Sequence, residues 1–137
     1  IGTYYLQAHN FDWILLLPAS TCGFFSTAVL NINNIRDINS DKLSGKNSVP
    51  VRLGPKKARI YHCLLLIIGF LCAVAYTIIE FKTPWQLMFL VITPLLIINA
   101  KSIVTKQKAS EIDPYLKQMS ITTLIFVLTF GIGNILK

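Results

Sequence analysis

The 137-residue sequence predicts an all-α fold, a multi-span transmembrane helical bundle. Hydrophobic residues make up 53% of the chain and charged residues 14%, with a mean hydropathy of +0.58. Ordinary soluble domains carry about a quarter charged residues, and no globule of this size has interior for so much apolar surface. The apolar residues also fall in uncharged runs of about twenty, the length that crosses a hydrocarbon core of about 30 Å. These runs are continuous rather than alternating, and in lipid only helices and closed barrels satisfy the backbone. Helices are therefore expected throughout. Ile1 opens inside an apolar, aromatic stretch with no charged leader or cleavage site, which suggests a mid-protein start without a signal peptide.

The elements are expected as follows. Residues 1–8 look like the tail of an earlier span, and Trp13 to Ile32 is the first full one. Ile60 to Ile79 is the second, and Trp85 to Ala100, extendable to Val104, the third. Ile121 to Leu136 is a shorter fourth, lengthened by residues 116–120 if its helix starts near Pro114. Trp13 and Trp85 begin their spans, where indole rings favour the interface. Pro18 and Pro94 should kink the spans that hold them. The short connector Glu80 to Pro84 allows only an antiparallel hairpin. Cys22, Cys63 and Cys72 lie in apolar runs with no metal-ligand spacing, and buried inert thiols are expected.

Charge orders the connectors. Seven of the thirteen basic residues fall between Arg36 and Arg59; residues 101–118 hold four, 80–84 one and 1–12 none. In a soluble chain such a cluster would suggest nucleic acid. Between spans it marks a cytoplasmic loop, so 33–59 and 101–118 should share the cytoplasmic side of the cell (inner) membrane, with no nucleic-acid role. Lys56, Lys57 and Arg59 are expected to be solvated loop residues.

The loop 33–59 also carries a pattern that topology does not explain. Asn33, Asp37 and Asp41 are spaced i, i+4, i+8, and nothing breaks a helix before Gly45. A helical extension would place all three on one face, drifting about 80° in total, with successive members about 6 Å apart along the axis. Two carboxylates a turn apart repel unless a cation lies between them, and a row of oxygen ligands suits Mg²⁺. Interleaved Arg36, Lys46 and Arg52 suit the phosphate oxygens of a diphosphate. Ionisable groups at the end of an apolar span are costly and usually functional. Gly45 is expected to close the extension in a left-handed cap, and Gly54–Pro55 to open the next helix.

The segment Asn33-Asn-x-Arg-Asp-x-x-x-Asp41-x-x-x-Gly45-Lys46, followed by Val51-Arg52-Leu53-Gly54, resembles the second Asp-rich motif of the UbiA-type prenyltransferases. The branch acting on 1,4-dihydroxy-2-naphthoate in menaquinone synthesis is the nearest, with further agreement at Gly2-Thr-Tyr-Tyr-Leu-Gln7, Ala58-Arg-x-Tyr-His62 and Leu116-Lys-Gln118. Asn47-Ser48-Val49-Pro50 departs from the family pattern, which changes the loop but not the metal ligands. The resemblance implies the C-terminal part of a nine-helix fold around a central cavity, with a first Asp-rich motif elsewhere. It also implies transfer of a polyprenyl group from polyprenyl diphosphate to 1,4-dihydroxy-2-naphthoate in the lipid bilayer, with Mg²⁺ as cofactor. Asn33, Asp37 and Asp41 would be metal ligands, Asp37 and Asp41 the catalytic carboxylates, and Arg36, Lys46 and Arg52 diphosphate ligands. Tyr4, Tyr5, Phe24, Phe25, Tyr61 and Tyr76 are candidates for facing an allylic cation.

Other acceptors remain open at this point: 4-hydroxybenzoate, protohaem or chlorophyllide. So does a non-enzymatic membrane subunit or transporter. A CDP-alcohol phosphotransferase would need an Asp-Gly-x-x-Ala-Arg lead-in that is absent. Prenyl chain length and oligomeric state are not legible in these residues.

Overall fold

The computed structural model describes residues 2–136. Helix α1 (Gly2–Ala8) is exposed along its whole length. A 3₁₀ turn (Trp13–Leu15), capped by the Asp12 carboxylate accepting from the Ile14 N–H at 2.9 Å, leads into α2 (Leu16–Arg36). Two short helices follow, α3 (Ile38–Leu43) and α4 (Val49–Leu53), and then the long α5 (Pro55–Ile79). A 3₁₀ segment (Pro84–Ile92) continues into α6 (Thr93–Thr105), and α7 (Ala109–Ile135) ends the described chain.

Among the described residues, four helical stretches are long and apolar enough to cross a membrane: Trp13–Arg36, Pro55–Ile79, Pro84–Thr105 and Ala109–Ile135. Each expected span is present and longer than its apolar run, because polar residues at the ends stay in the helix. The fourth departs furthest. It starts at Ala109, five residues before Pro114, with Glu111 accepting from the Lys108 N–H (3.4 Å) to hold the first turn. Neither Pro18 nor Pro94 sits deep inside an α-helix. Each follows a 3₁₀ segment and lies in the first turn of the α-helix after it, where its missing N–H leaves no carbonyl unpaired. The proline effect is a change of helix type.

The four spans close into a ring. α2 packs against α5 and α7, α6 against α5 and α7, and the 3₁₀ segment against α7. Aromatic rings fill the middle: Phe25 meets Phe126 edge-on at 5.2 Å, Phe89 meets Phe126 and Phe130 at 6.1 and 5.6 Å, and Tyr76 meets Phe130 at 5.5 Å. Phe25 and Tyr76 are therefore packing residues of this bundle, while Tyr4 and Tyr5 are exposed. Leu64, Ile67, Leu71, Ile97, Leu124 and Leu128 face outward, as lipid-facing positions do. All three cysteines are free and half-buried, less enclosed than expected.

Lipid removes the hydrophobic drive between helices, so close packing and polar links must hold the ring. Thr21 Oγ1 donates to the Gly69 carbonyl at 2.9 Å, where a Cβ on Gly69 would stand 2.9 Å from the Phe25 ring. Nearer the start of α5, His62 Nε2 meets Asn99 Oδ1 at 2.9 Å. Asn99 Nδ2 in turn donates to the Tyr115 carbonyl at 3.0 Å and to Gln118 Oε1. One buried amide thus joins α5, α6 and α7. At the end away from loop 33–59, Gln86 closes the hairpin. Its Oε1 accepts from Lys82 and Thr83 N–H groups at 2.7 and 3.2 Å, and its Nε2 donates to the Glu80 carbonyl and Asn134 Oδ1 at 3.0 and 3.2 Å.

Candidate active site at one end of the bundle

The last turns of α2 carry Asn31, Asn33, Asn34 and Arg36, and the chain bends at Asp37 (φ −95°, ψ 10°) before α3. The expected helical extension is thus interrupted once. Its hydrogen-bond ladder survives: Asp37 N–H donates to the Asn33 carbonyl at 3.0 Å and Asp41 N–H to the Asp37 carbonyl at 2.8 Å. At the far end Gly45 (φ 74°) forms the expected left-handed cap. Lys46 N–H reaches back to the Asp41 carbonyl at 2.9 Å and Gly45 N–H to that of Lys42 at 3.3 Å, the double bond of a Schellman turn. Gly54 (φ 80°, ψ 161°) adopts a conformation open essentially to glycine, and Pro55 then begins α5. The unexpected helix α4 begins at Val49, inside the divergent segment Asn47–Pro50, with Ser48 at its N-cap.

The bend at Asp37 divides the Asn/Asp row. Arg36 gathers one part: Nε and Nη2 grip Asp37 Oδ1 and Oδ2 at 2.8 and 3.0 Å, and Nη2 also donates to Asn33 Oδ1 at 2.9 Å. Its remaining nitrogen, Nη1, crosses to Asp113 Oδ1 on α7 at 2.6 Å. The hydrogen-bonded Arg36 guanidinium holds the Asp37 carboxyl below its usual range, against a smaller upward push from burial and with a weak pull from Lys46. Asp41 belongs to the other part. It is buried, and Lys46 Nζ lies 3.2 Å from its Oδ1 and 3.4 Å from Asn34 Oδ1. The single three-membered row expected from spacing is thus two clusters, Asn33–Asp37 on Arg36 and Asn34–Asp41 on Lys46. Arg52 is exposed and makes no side-chain hydrogen bond or ion pair to the described residues.

The expectation that Arg59 is solvated is overturned. It is buried, and its Nη1 donates to the carbonyls of Ile103 and Lys106 at the C-terminal end of α6. Unpaired helix-end carbonyls carry partial negative charge, which a guanidinium satisfies. Asn31 Nδ2 likewise donates to the Ala58 carbonyl at 3.1 Å, tying α2 to α5. Lys106 Nζ lies 5.6 Å over the Tyr115 ring, tying the end of α6 to α7. With Arg36–Asp113, these links form a polar belt around the end of the bundle that holds both clusters.

Two buried acceptors in this region, Asp41 Oδ2 and Asn31 Oδ1, have no hydrogen-bond partner. A buried acceptor left bare is costly, and a hard cation or its bound water would relieve it. The donor set of two carboxylates and neutral amide oxygens therefore fits Mg²⁺. Among the described residues no group of three or more His, Cys, Asp or Glu side chains comes together.

Asn31, Asn34 and Asp113 were not singled out as site residues from the sequence, and Arg59 was read there as a solvated loop residue. Asn34 had a usable signal, since it lies seven residues before Asp41 and so on nearly the same helical face. Asp113 had none, being 77 residues from its partner.

The model of the UbiA prenyltransferase family matches residues 1–124. The chain belongs to that family. Among its relatives are the 1,4-dihydroxy-2-naphthoate octaprenyltransferases of Haemophilus influenzae, 42% identical over 96% of this chain, and of Escherichia coli, 42% identical over 93%. The Mycobacterium tuberculosis protein of the same name is 34% identical over 93%. In each case the match covers 43% of the relative, so the chain spans less than half the length of these proteins. No solved structure matches it. Family membership and four apolar spans make this UbiA chain an integral membrane protein.

Proposed function

We propose that this chain forms one helical bundle, and one polar end, of an enzyme that transfers a polyprenyl group from polyprenyl diphosphate to 1,4-dihydroxy-2-naphthoate. The carboxylate is lost as CO₂ and the product is a demethylmenaquinol, the hydroquinone form of a demethylmenaquinone. One observation carries this: the paired clusters Asn33–Arg36–Asp37 and Asn34–Lys46–Asp41 stand at one end of a bundle 42% identical to two proteins named for that acceptor.

The residues divide the work by charge. Asp37 and Asp41, with Asn33, would hold Mg²⁺. When bound, the metal neutralises the diphosphate and eases its departure. Arg36 and Lys46 now sit on carboxylates, and a diphosphate offers the same geometry with more charge, so both exchange partners readily. Arg52, exposed and uncommitted, adds a further cation. The allylic C–O bond breaks with its electron pair leaving on diphosphate, and the ring carbon bearing the carboxylate attacks. The apolar spans keep water from the cation. The basic loops 33–59 and 101–118 would face the cytoplasm, where both substrates' polar ends are found.

The test is product analysis on membranes containing the complete polypeptide that carries this chain. A polyprenyl diphosphate, Mg²⁺ and 1,4-dihydroxy-2-naphthoate should give demethylmenaquinol, recovered as the quinone after oxidation by air, with CO₂ and released diphosphate. Product with 4-hydroxybenzoate instead would reassign the acceptor. Absence of diphosphate release with every aromatic acceptor would overturn the transferase itself.

A further inference from the structure

We propose that Asp113 is a positioning residue of this site, acting through Arg36: it gives the guanidinium a second anion to hold while a metal takes the Asp37 and Asn33 oxygens. The proposal rests on the metal–diphosphate function above. Arg36 spends three of its donors on the site, covering both Asp37 oxygens (2.8 and 3.0 Å) and the side-chain oxygen of Asn33 (2.9 Å). With only those partners it would be a neutral pair with Asp37, and a divalent cation would have to expel an arginine into a less favourable place. Asp113 changes this balance. It comes from the start of α7, across the bundle end, and binds the outward-facing nitrogen at 2.6 Å.

The side chain of Asp113 is 60% exposed, and that of Arg36 28%. An ion pair so open to solvent adds little to stability, so packing gives a weak reason for it. Its geometry gives a better one. A guanidinium pivoting on Nη1 keeps one anion while its other donors leave Asp37 and Asn33, and they are then free to face phosphate oxygens. Among the described residues Lys46 hydrogen-bonds no second anion: its other partner, Asn34, is neutral. The two clusters therefore differ, and the one with an anchor on another helix is the one that can open without losing charge compensation. Asp113 thus couples α7 to the motif.

A Mn²⁺ titration of the complete polypeptide that carries this chain, purified in detergent and followed by electron paramagnetic resonance, tests this without turnover. Asp37→Asn abolishes the site. Arg36→Gln removes the competitor and tightens Mn²⁺ about fivefold, and Asp113→Asn leaves Arg36 locked on Asp37 and weakens it about fivefold, the low end of site–site coupling. In the Arg36→Gln background Asp113→Asn costs less than about twofold, because the residue it acts through is gone. Asp113→Glu recovers most of the loss. Circular dichroism confirms that helix content is kept, and Asp113→Ser is read in the same way should the Asn variant misfold. Equal losses in both backgrounds would make Asp113 a remote charge, and no loss in either would make it a surface residue; both overturn the proposal. A native chain with no saturable Mn²⁺ site would instead overturn the metal site on which it rests.

Discussion

Arg59, at the start of α5, donates to the main-chain carbonyl of Lys106 at 2.5 Å, 47 residues further on and just beyond the end of α6. A buried guanidinium capping another helix can make that contact only if the loop before α5 and the connector after α6 lie at the same end of the bundle. The Arg36–Asp113 pair requires the same of α2 and α7.

Topology follows from that shared end. With both basic connectors inside, an impermeant thiol reagent should label Lys82→Cys in intact cells, in a Cys-free background, and leave Lys46→Cys protected. The opposite labelling pattern would reverse the orientation.

Within the motif, the charges outrank the amides. In the complete enzyme, Asp37→Asn and Asp41→Asn should each lower turnover on the order of 10²-fold, with partial rescue by raised Mg²⁺. Asn33→Ala removes a neutral ligand that water replaces and should cost less. Arg52→Ala should raise KM for the diphosphate more than it lowers kcat, and Mg²⁺ should not rescue it. Near-normal kcat for both Asp variants at limiting Mg²⁺ would leave the loop as a topology signal only.

Asn99 links three helices from a fully buried position. Asn99→Leu keeps the volume but strands His62 and Gln118, so the chain in detergent should lose about 1–2 kcal/mol and its thermal midpoint should fall. Ser120→Leu, at an exposed position of α7, serves as the control and should leave the midpoint unchanged. Equal midpoints for all three proteins would show the network to be energetically idle.

A tight helix approach lies at the opposite end, where a Cβ on Gly133 would collide with the Trp85 carbonyl oxygen. The clash is with backbone, which cannot swing aside. Gly133→Ala should therefore destabilise the chain by about 1–3 kcal/mol. Gly131→Ala, with nothing within 4 Å of its Cβ, should be silent in the same thermal melts. A silent Gly133→Ala would mean that α7 and the 3₁₀ segment are further apart than described.

Asp37 sets a pH dependence of known sign. Its pKa is lowered in the folded chain by Arg36, so the unfolded state takes up its proton first as pH falls. The Asp37 contribution is full above the ordinary carboxylate value of about 3.9 and fades as pH drops through the folded-state value. The difference in melting temperature between native chain and Asp37→Asn should thus be flat from about pH 5 upward and shrink below about pH 4. A difference that grew in acid would contradict the pairing.

Composition and run length were enough to determine the helical class, the four spans and the hairpin at residues 80–84, because each depends on solvent and local chain length alone. Gly45 and Gly54 were legible for a similar reason: a positive φ is a single-residue property. The Asn/Asp pattern was legible as a polar site at a span's end, but its partners were not. Whether Asp41 would stand with Asp37 or with Lys46 turned on a one-residue bend in the helix. Whether Arg59 would be solvated or buried turned on the carbonyls at the end of α6, 44 and 47 residues away. Spacing measures angle around one helix, whereas Arg36–Asp113 and Asn31–Ala58 depend on which helices become neighbours. In lipid that choice rests on small-residue contacts and buried amides, such as Gly133 and Asn99, whose partners exist only once the ring has closed.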